Sequence, residues 1–424
     1  MVAGRGETGA ARARELRDAL EGVIRAWHRM EVERGGPGIV EFDCVPPAPG
    51  TPPVPAAADR MEVYERLTAL AAPIAADGHP AVAARLGADL AYLGSRLGER
   101  PDLDAYVRAT QGCGAAGWPE DYVAERGDAV RTRLAAHGIA WDEGTEDALR
   151  GLEEPLPADE AVKAILAAVA DHEPAVRKAV GSEAPYRLSV ECVDVDEYWA
   201  YWLDGAGQHV RLRINPRNAR FTKVGARQFA LHEVLGHGLQ CAAFADRCGR
   251  EDVPWVRMIS VHGPTQVLLE GLAQALPLFV VPDDTVLGTR VRLDHYLQLV
   301  RAELHIAVNS GASVRACAAH ARARVPFWTD RHIADVLADR GSDPRLRSYL
   351  WAYPAGFDWF VRLADADTAV ITEVLHAAYR DPLTPGGLGR LHPGGPPIGG
   401  PGPAVRLREP DVPRGAGRAA GADT

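Results

Sequence analysis

Residues 231–240 read LHEVLGHGLQ, and the fold turns on whether this stretch is a regular helix. Its setting, ARQFALHEVLGHGLQCAAF over 226–244, is helical, with Phe229, Leu231, Val234, Leu235 and Leu239 forming an apolar side. Each residue of an α-helix turns about 100°. Side chains four apart differ by roughly 40° and can grip one ion, whereas side chains five apart differ by roughly 140°. His232 and His237 are five apart, so a regular helix points them away from each other. A π-bulge over Val234 to Gly236 inserts one residue and restores their alignment. Gly236 and Gly238 flank the second histidine. Each costs a helix about 1 kcal/mol relative to Ala, a composition that suits an irregular backbone.

Two aligned imidazoles followed by a carboxylate point to a metal. A hydrolytic zinc site takes three protein ligands and keeps one position open for water. The third ligand is sought in PTQVLLEGLAQALPLF, residues 264–279, where Glu270 is the one carboxylate of an apolar helix that opens at Pro264. A carboxylate in such a place is expected to be paired or to bind something. Glu233 adjoins a ligand but faces another direction, which suits a general base acting on the metal's water. The expected centre is therefore one ion, zinc or another divalent metal, on His232, His237 and Glu270, with Glu233 as catalytic base.

Outward from this centre, the text before it is β-rich. YRLSVECVDV (186–195) is followed by EYWAYWLDGAGQHVRLRIN (197–215). Val210, Leu212 and Ile214 alternate with Arg211, Arg213 and Asn215, the pattern of a half-buried strand, and DGAGQ supplies a turn. The rest is helical: an amphipathic helix over 11–34 carrying Leu16, Leu20, Ile24 and Trp27, four to six helices over 58–180, and helices again from 216 to about 380. CVPPAPGTPPVPA (44–56) holds too many prolines for helix or central strand. The tail from 381 is rich in Gly and Pro, and is expected to be disordered. The fold expected is mainly α, a large helical body with a small antiparallel β-sheet next to the metal-binding helix. Its divisions are 1–57 (helix and Pro-rich connection), 58–185 (helical), 186–380 (metal-binding, catalytic) and 381–424 (tail).

Composition limits the partners. The chain has 424 residues with 47% hydrophobic and 25% charged side chains, enough for a sizeable core. A net charge of −10 argues against nucleic acid. No apolar run reaches the roughly 18 residues a membrane span needs. The start, MVAGRGETGAARARELRD, lacks the apolar segment of a signal peptide, so a cytoplasmic location is expected. Six cysteines without a C-x-x-C pair fit reduced, buried thiols. Neither a G-x-S-x-G elbow nor a P-loop is present.

Hydrolysis also needs a donor for the developing oxyanion. Tyr353 and His305 are candidates, with Tyr349 behind them, although both also fit a helical core. His262, in SVHGP, suits a loop cap or a residue orienting a ligand. His209 falls at the hairpin turn. The strand VRLRINP is a candidate wall of the cleft, where an extended peptide adds by strand pairing.

The spacing H-E-x-x-x-H resembles that of dipeptidyl peptidase III, a zinc exopeptidase family. HEVLGHGLQ followed by LLEGLAQA also resembles the DUF885 family, zinc peptidase-like proteins of the gluzincin type. That resemblance extends over about 186–365, through RAELHIAVNSGAS and SYLWAYPAGFDWF. It implies His232, His237 and Glu270 as ligands, Glu233 as base, Gln240 as the motif's glutamine, and Tyr353 as a position of interest. The chain departs from the pattern: the motif helix lacks its Pro, Gly238 stands for a second His, and Leu272 for a Trp.

The expected function is a zinc metallopeptidase-like hydrolase that cleaves an amide bond in a peptide or small peptide-like substrate. Two alternatives stand beside it: a metal-dependent biosynthetic enzyme acting on a small molecule with the same scaffold, and a non-catalytic helical binding protein.

Overall fold

The structure, a computed structural model, describes residues 3–196 and 200–407. The strand reading of 197–199 and the disorder expected for 408–424 lie outside the described residues. Helix α1 (Ala3–Glu33) is followed by a two-residue strand, β1 (Phe42–Asp43), and by the Pro-rich connection. Six helices come next: α2 (Arg60–Asp77), α3 (Pro80–Arg96), α4 (Leu103–Gln111), α5 (Glu120–Ala136), α6 (Thr145–Leu152) and α7 (Ala158–Val180). Strands β2 (Arg187–Cys192), β3 (Tyr201–Ala206) and β4 (His209–Ile214) lead to α8 (Lys223–Phe229), a π-helix (Ala230–Gly238) and α9 (Leu239–Arg250). After β5 (Met258–Ile259) come α10 (Gln266–Val280), α11 (Thr285–Asn309), α12 (Val314–Arg324), α13 (Asp330–Gly341), α14 (Pro344–Leu363), α15 (Thr368–Arg380) and α16 (Pro385–Leu391). The mainly helical class expected from the sequence is the class observed.

The sheet is mixed rather than antiparallel. Its order is β2-β4-β3-β1-β5. The β3–β4 hairpin and the β1–β5 pair are antiparallel, whereas β2 runs parallel to β4 and β1 parallel to β3. A period of two reports which face is buried and carries no information on strand direction. Val210, Leu212 and Ile214 are buried, as their alternation predicts. β4 is flanked on both sides, so VRLRINP offers no free edge for strand addition. Arg211 and Arg213 both pair with Asp204 across the hairpin, each at 2.8 Å.

Burial follows the helical periodicity. Leu16, Leu20, Ile24 and Trp27 of α1 pack with α2 and α3 in one apolar cluster. A second cluster joins α4, α5, α11, α12 and α13. The largest encloses the π-helix between α7, α10, α14 and α15, so the centre of the molecule is built around the motif.

The tail departs from expectation over its described part. Pro385–Leu391 form a helix with Leu388 buried. Beyond it the backbone lies along 116–117, with Gly117 N–H donating to Gly399 C=O at 2.9 Å and Gly402 N–H to Gly117 C=O at 2.8 Å. Backbone hydrogen bonds hold this segment, and they leave no mark in side-chain composition. At the other margin, α10 begins at Gln266, not at Pro264, which places Glu270 on its second turn.

Candidate metal centre

The motif's backbone is π-helical over nine residues, Ala230–Gly238, longer than the single bulge expected. Leu239 N–H donates to Val234 C=O, five residues back, the bond that defines this helix. Such a turn wastes α-helical bonding and must be held by its surroundings. Tyr379 of α15 donates its hydroxyl to Leu235 C=O at 2.6 Å. Gln240, the glutamine of the resemblance, donates to Ala378 C=O at 2.9 Å and ties the next turn to the same helix. Gly236 is required by contact. A Cβ there would stand 2.9 Å from both the Ala273 Cβ and Leu231 C=O.

The consequence is that His232 and His237 face each other. Their Nε2 atoms are 3.2 Å apart and their ring planes cross at 82°. Glu270 Oε2 lies 3.6 Å from His237 Nε2 and 3.9 Å from His232 Nε2. All the donor atoms of this trio fall within 4.8 Å of one another. Metal–ligand bonds of about 2.0–2.2 Å in tetrahedral array require donor separations of about 3.3–3.5 Å, close to those observed. Glu270 Oε2 is buried with no hydrogen-bond partner, an orphan that a cation at this point would satisfy. The donor set fits zinc.

Helix α14 sets the orientation of Glu270. Tyr349 donates to Glu270 Oε1 at 2.5 Å and contacts the Tyr353 hydroxyl at 2.7 Å. A tyrosine carries one O–H. With that of Tyr349 given to Glu270, Tyr353 donates to Tyr349. The approach of α10 and α14 depends on paired glycines. A Cβ on Gly271 would meet the Gly356 carbonyl carbon at 2.4 Å, and one on Gly356 would meet Val267 C=O at 2.0 Å.

Burial dominates the electrostatics. It depresses His232 to about 3, with the neighbouring His237 acting in the same direction. Burial also opposes charge on His237, but the Glu270 carboxylate outweighs it and raises that imidazole to about 9. A metal ion held between the two imidazoles would require both in the neutral form. Burial lifts Glu233 to about 7 against the opposing pull of His237. Its Oε1 is 3.6 Å from His232 Nε2. Tyr353 is raised well above 10, chiefly by burial, and stays a neutral donor.

The three candidate ligands, Glu233 and Tyr353 thus line one cavity of about 340 Å³, together with Tyr349, β3 residues Tyr201–Asp204, Glu41 and Arg345. His305 does not join them. It is fully buried beneath Trp351, with ring centroids 5.6 Å apart, and lines no part of this cavity. The apolar neighbours that made its helix face ambiguous are its core. His262 does not line the cavity either; it is stacked on Tyr92 at 4.2 Å and bonded to Asp89 at 2.7 Å. His209, at the start of β4, bonds Ser189 of β2 at 3.1 Å.

Sequence reasoning missed Glu41 and Arg345. Glu41 is a carboxylate in the apolar run GIVEF, the same signal that singled out Glu270. Arg345, Tyr349 and Tyr353 are spaced four and eight apart, one face of α14. The wall strand is β3 instead of VRLRINP.

No family model and no curated protein matches the chain. Solved structures do match. One, described as "the putative lipoprotein from Colwellia psychrerythraea", is 14% identical over 75% of this chain, with a TM-score of 0.46. This chain spans 59% of that protein's length. Among the described residues, no helix is long and apolar enough to cross a membrane.

Proposed function

We propose that the protein is a zinc-dependent hydrolase that cleaves an amide bond in a small peptide-like substrate. The observation that carries this reading is the convergence of His232, His237 and Glu270 around the orphaned Glu270 Oε2, with Glu233 beside them in a cavity. A zinc ion held there would supply a Lewis acid for the substrate carbonyl and for the attacking water. Glu233, poised near neutrality, accepts the proton of the attacking water and delivers it to the leaving amine. Tyr353 releases its bond to Tyr349 and donates to the developing oxyanion. Tyr349 keeps Glu270 oriented throughout.

A cavity of about 340 Å³ lies at the lower end of the small-ligand range of about 300–1,000 Å³. That favours a dipeptide-sized substrate over an extended polypeptide, and it also keeps open a biosynthetic reaction on a small molecule. Among the described residues none of the six cysteines forms a disulfide, which suits a reducing, cytoplasmic compartment. The test is turnover of a blocked dipeptide library by the zinc-loaded protein, with Glu233→Gln as control. Cleavage by the wild type and its loss in the variant support the hydrolase. No cleavage of any member counts against it.

A further inference from the structure

The cavity is lined by four carboxylates, Glu41, Asp204, Glu233 and Glu270, and among the described residues lining it Arg345 is the one Lys or Arg. Asp204 is engaged by Arg211 and Arg213, and Glu270 is turned to the histidines. Arg345 is held less tightly. Its Nη2 is 3.5 Å from Glu41 Oε1, at the outer limit of hydrogen-bond reach, and its guanidinium lies 5.7 Å from the centre of the Trp202 ring. The Arg345 side chain keeps 18% of its exposure. An Arg stacked on an aromatic face presents its planar fork to a carboxylate in two-point geometry.

Position adds a length. Arg345 occupies the first turn of α14, whose N-terminal N–H groups are capped by the Asp343 carboxylate, so the guanidinium is the group left to meet an anion. Tyr349, which touches Glu270, comes one turn later, and Tyr353 two turns later. At 1.5 Å per residue these steps are about 6 Å and 12 Å along the helix. An extended chain covers about 3.3–3.6 Å per residue, so about two residues span the step from Arg345 to Tyr349, which touches Glu270, and one suffices where the long Arg345 side chain covers part of that distance.

We propose that Arg345 is the carboxylate subsite of this cavity, selecting substrates whose free carboxylate lies one or two residues from the amide that is cleaved. This rests on the hydrolase reading for the amide and on the Arg345 environment for the carboxylate. Glu41 holds the guanidinium in the resting state and must yield to the incoming anion.

The test separates the two. Binding of N-benzoylglycine and of its carboxamide is measured by calorimetry, on the protein as purified and after dialysis against a chelator, so that carboxylate binding to a metal is removed. The acid is expected to bind about tenfold or more tightly than the amide in both forms. Arg345→Gln should bring the ratio to within about twofold with amide binding unchanged, and Arg345→Lys should keep part of the preference. Glu41→Gln should tighten the acid alone, because it removes a competing carboxylate. Equal binding of acid and amide, no binding of either at millimolar concentration, or a preference that survives Arg345→Gln overturns the proposal. A preference that disappears with Arg345 in a protein without amidase activity sustains the subsite and removes the hydrolase.

Discussion

Tyr349 donates a 2.5 Å hydrogen bond to one oxygen of Glu270 and leaves the other, buried and without a partner, facing two imidazoles. The bond fixes which lone pairs of the carboxylate remain available. Tyr349→Phe is expected to weaken zinc binding about 10- to 100-fold, the usual effect of losing a residue that orients a ligand. Competition with a chromophoric chelator measures it. Tyr353→Phe should leave zinc affinity unchanged and lower kcat about 10²-fold, as loss of one oxyanion donor does.

The π-helix is held from α15. Tyr379→Phe leaves the buried Leu235 carbonyl without its donor and should destabilise the fold by about 1–3 kcal/mol. Thermal unfolding of the two proteins, with zinc and after chelation, gives the difference. An unchanged midpoint would mean that the turn holds without this bond.

The contact of α10 with α14 leaves no room for a methyl group. Gly356→Ala would put a Cβ 2.0 Å from Val267 C=O. Backbone cannot yield as a flexible side chain does, so a loss of at least about 1–3 kcal/mol is expected, together with weaker zinc binding as Tyr349 moves from Glu270. Denaturant unfolding and chelator competition read the two effects.

Acid sensitivity should arise away from the metal centre as well as within it. Burial pushes the Asp89 carboxyl up, but Arg85 and the His262 hydrogen bond outweigh it and hold it below its ordinary 3.8. Burial holds His262 below 6.5, so it is neutral and donates its Nε2–H to Asp89. In the unfolded chain His262 takes up a proton as pH falls below about 6.5, before the folded protein does, and stability declines from there. The Asp89 contribution is present above about 3.8 and is lost as pH falls through its depressed folded value. Melting temperature should therefore fall in two steps on acidification. Asp89→Asn should remove the lower step and cost about 3–5 kcal/mol at neutral pH, since Arg85 stays buried without its carboxylate.

What was legible in the sequence was whatever depends on period and spacing. The five-residue separation of the histidines demanded an irregular turn, and the lone carboxylate of α10 marked Glu270. The alternation in β4 gave its buried face. Strand direction was not legible, because β2 reaches the far side of β4 by a connection that side-chain pattern does not record. His305 was ambiguous between oxyanion donor and core histidine, because an apolar helix face looks the same whether it meets a cavity or another helix. Arg345 and Glu41 come from opposite ends of the chain and meet only in the fold. The described part of the tail, 381–407, was hidden because few apolar residues, among them Leu383, Leu388 and Ile398, anchor it to the core and main-chain hydrogen bonds hold 399–404 against 116–117.

Whether the π-helical turn builds a metal site is read from the zinc content of the purified protein alongside His237→Ala and Glu233→Gln. About one zinc per chain is expected, lost in His237→Ala and retained in Glu233→Gln, because Glu233 is proposed as the base and not as a ligand. No zinc in the wild type, with none taken up on addition, would contradict a metal site there.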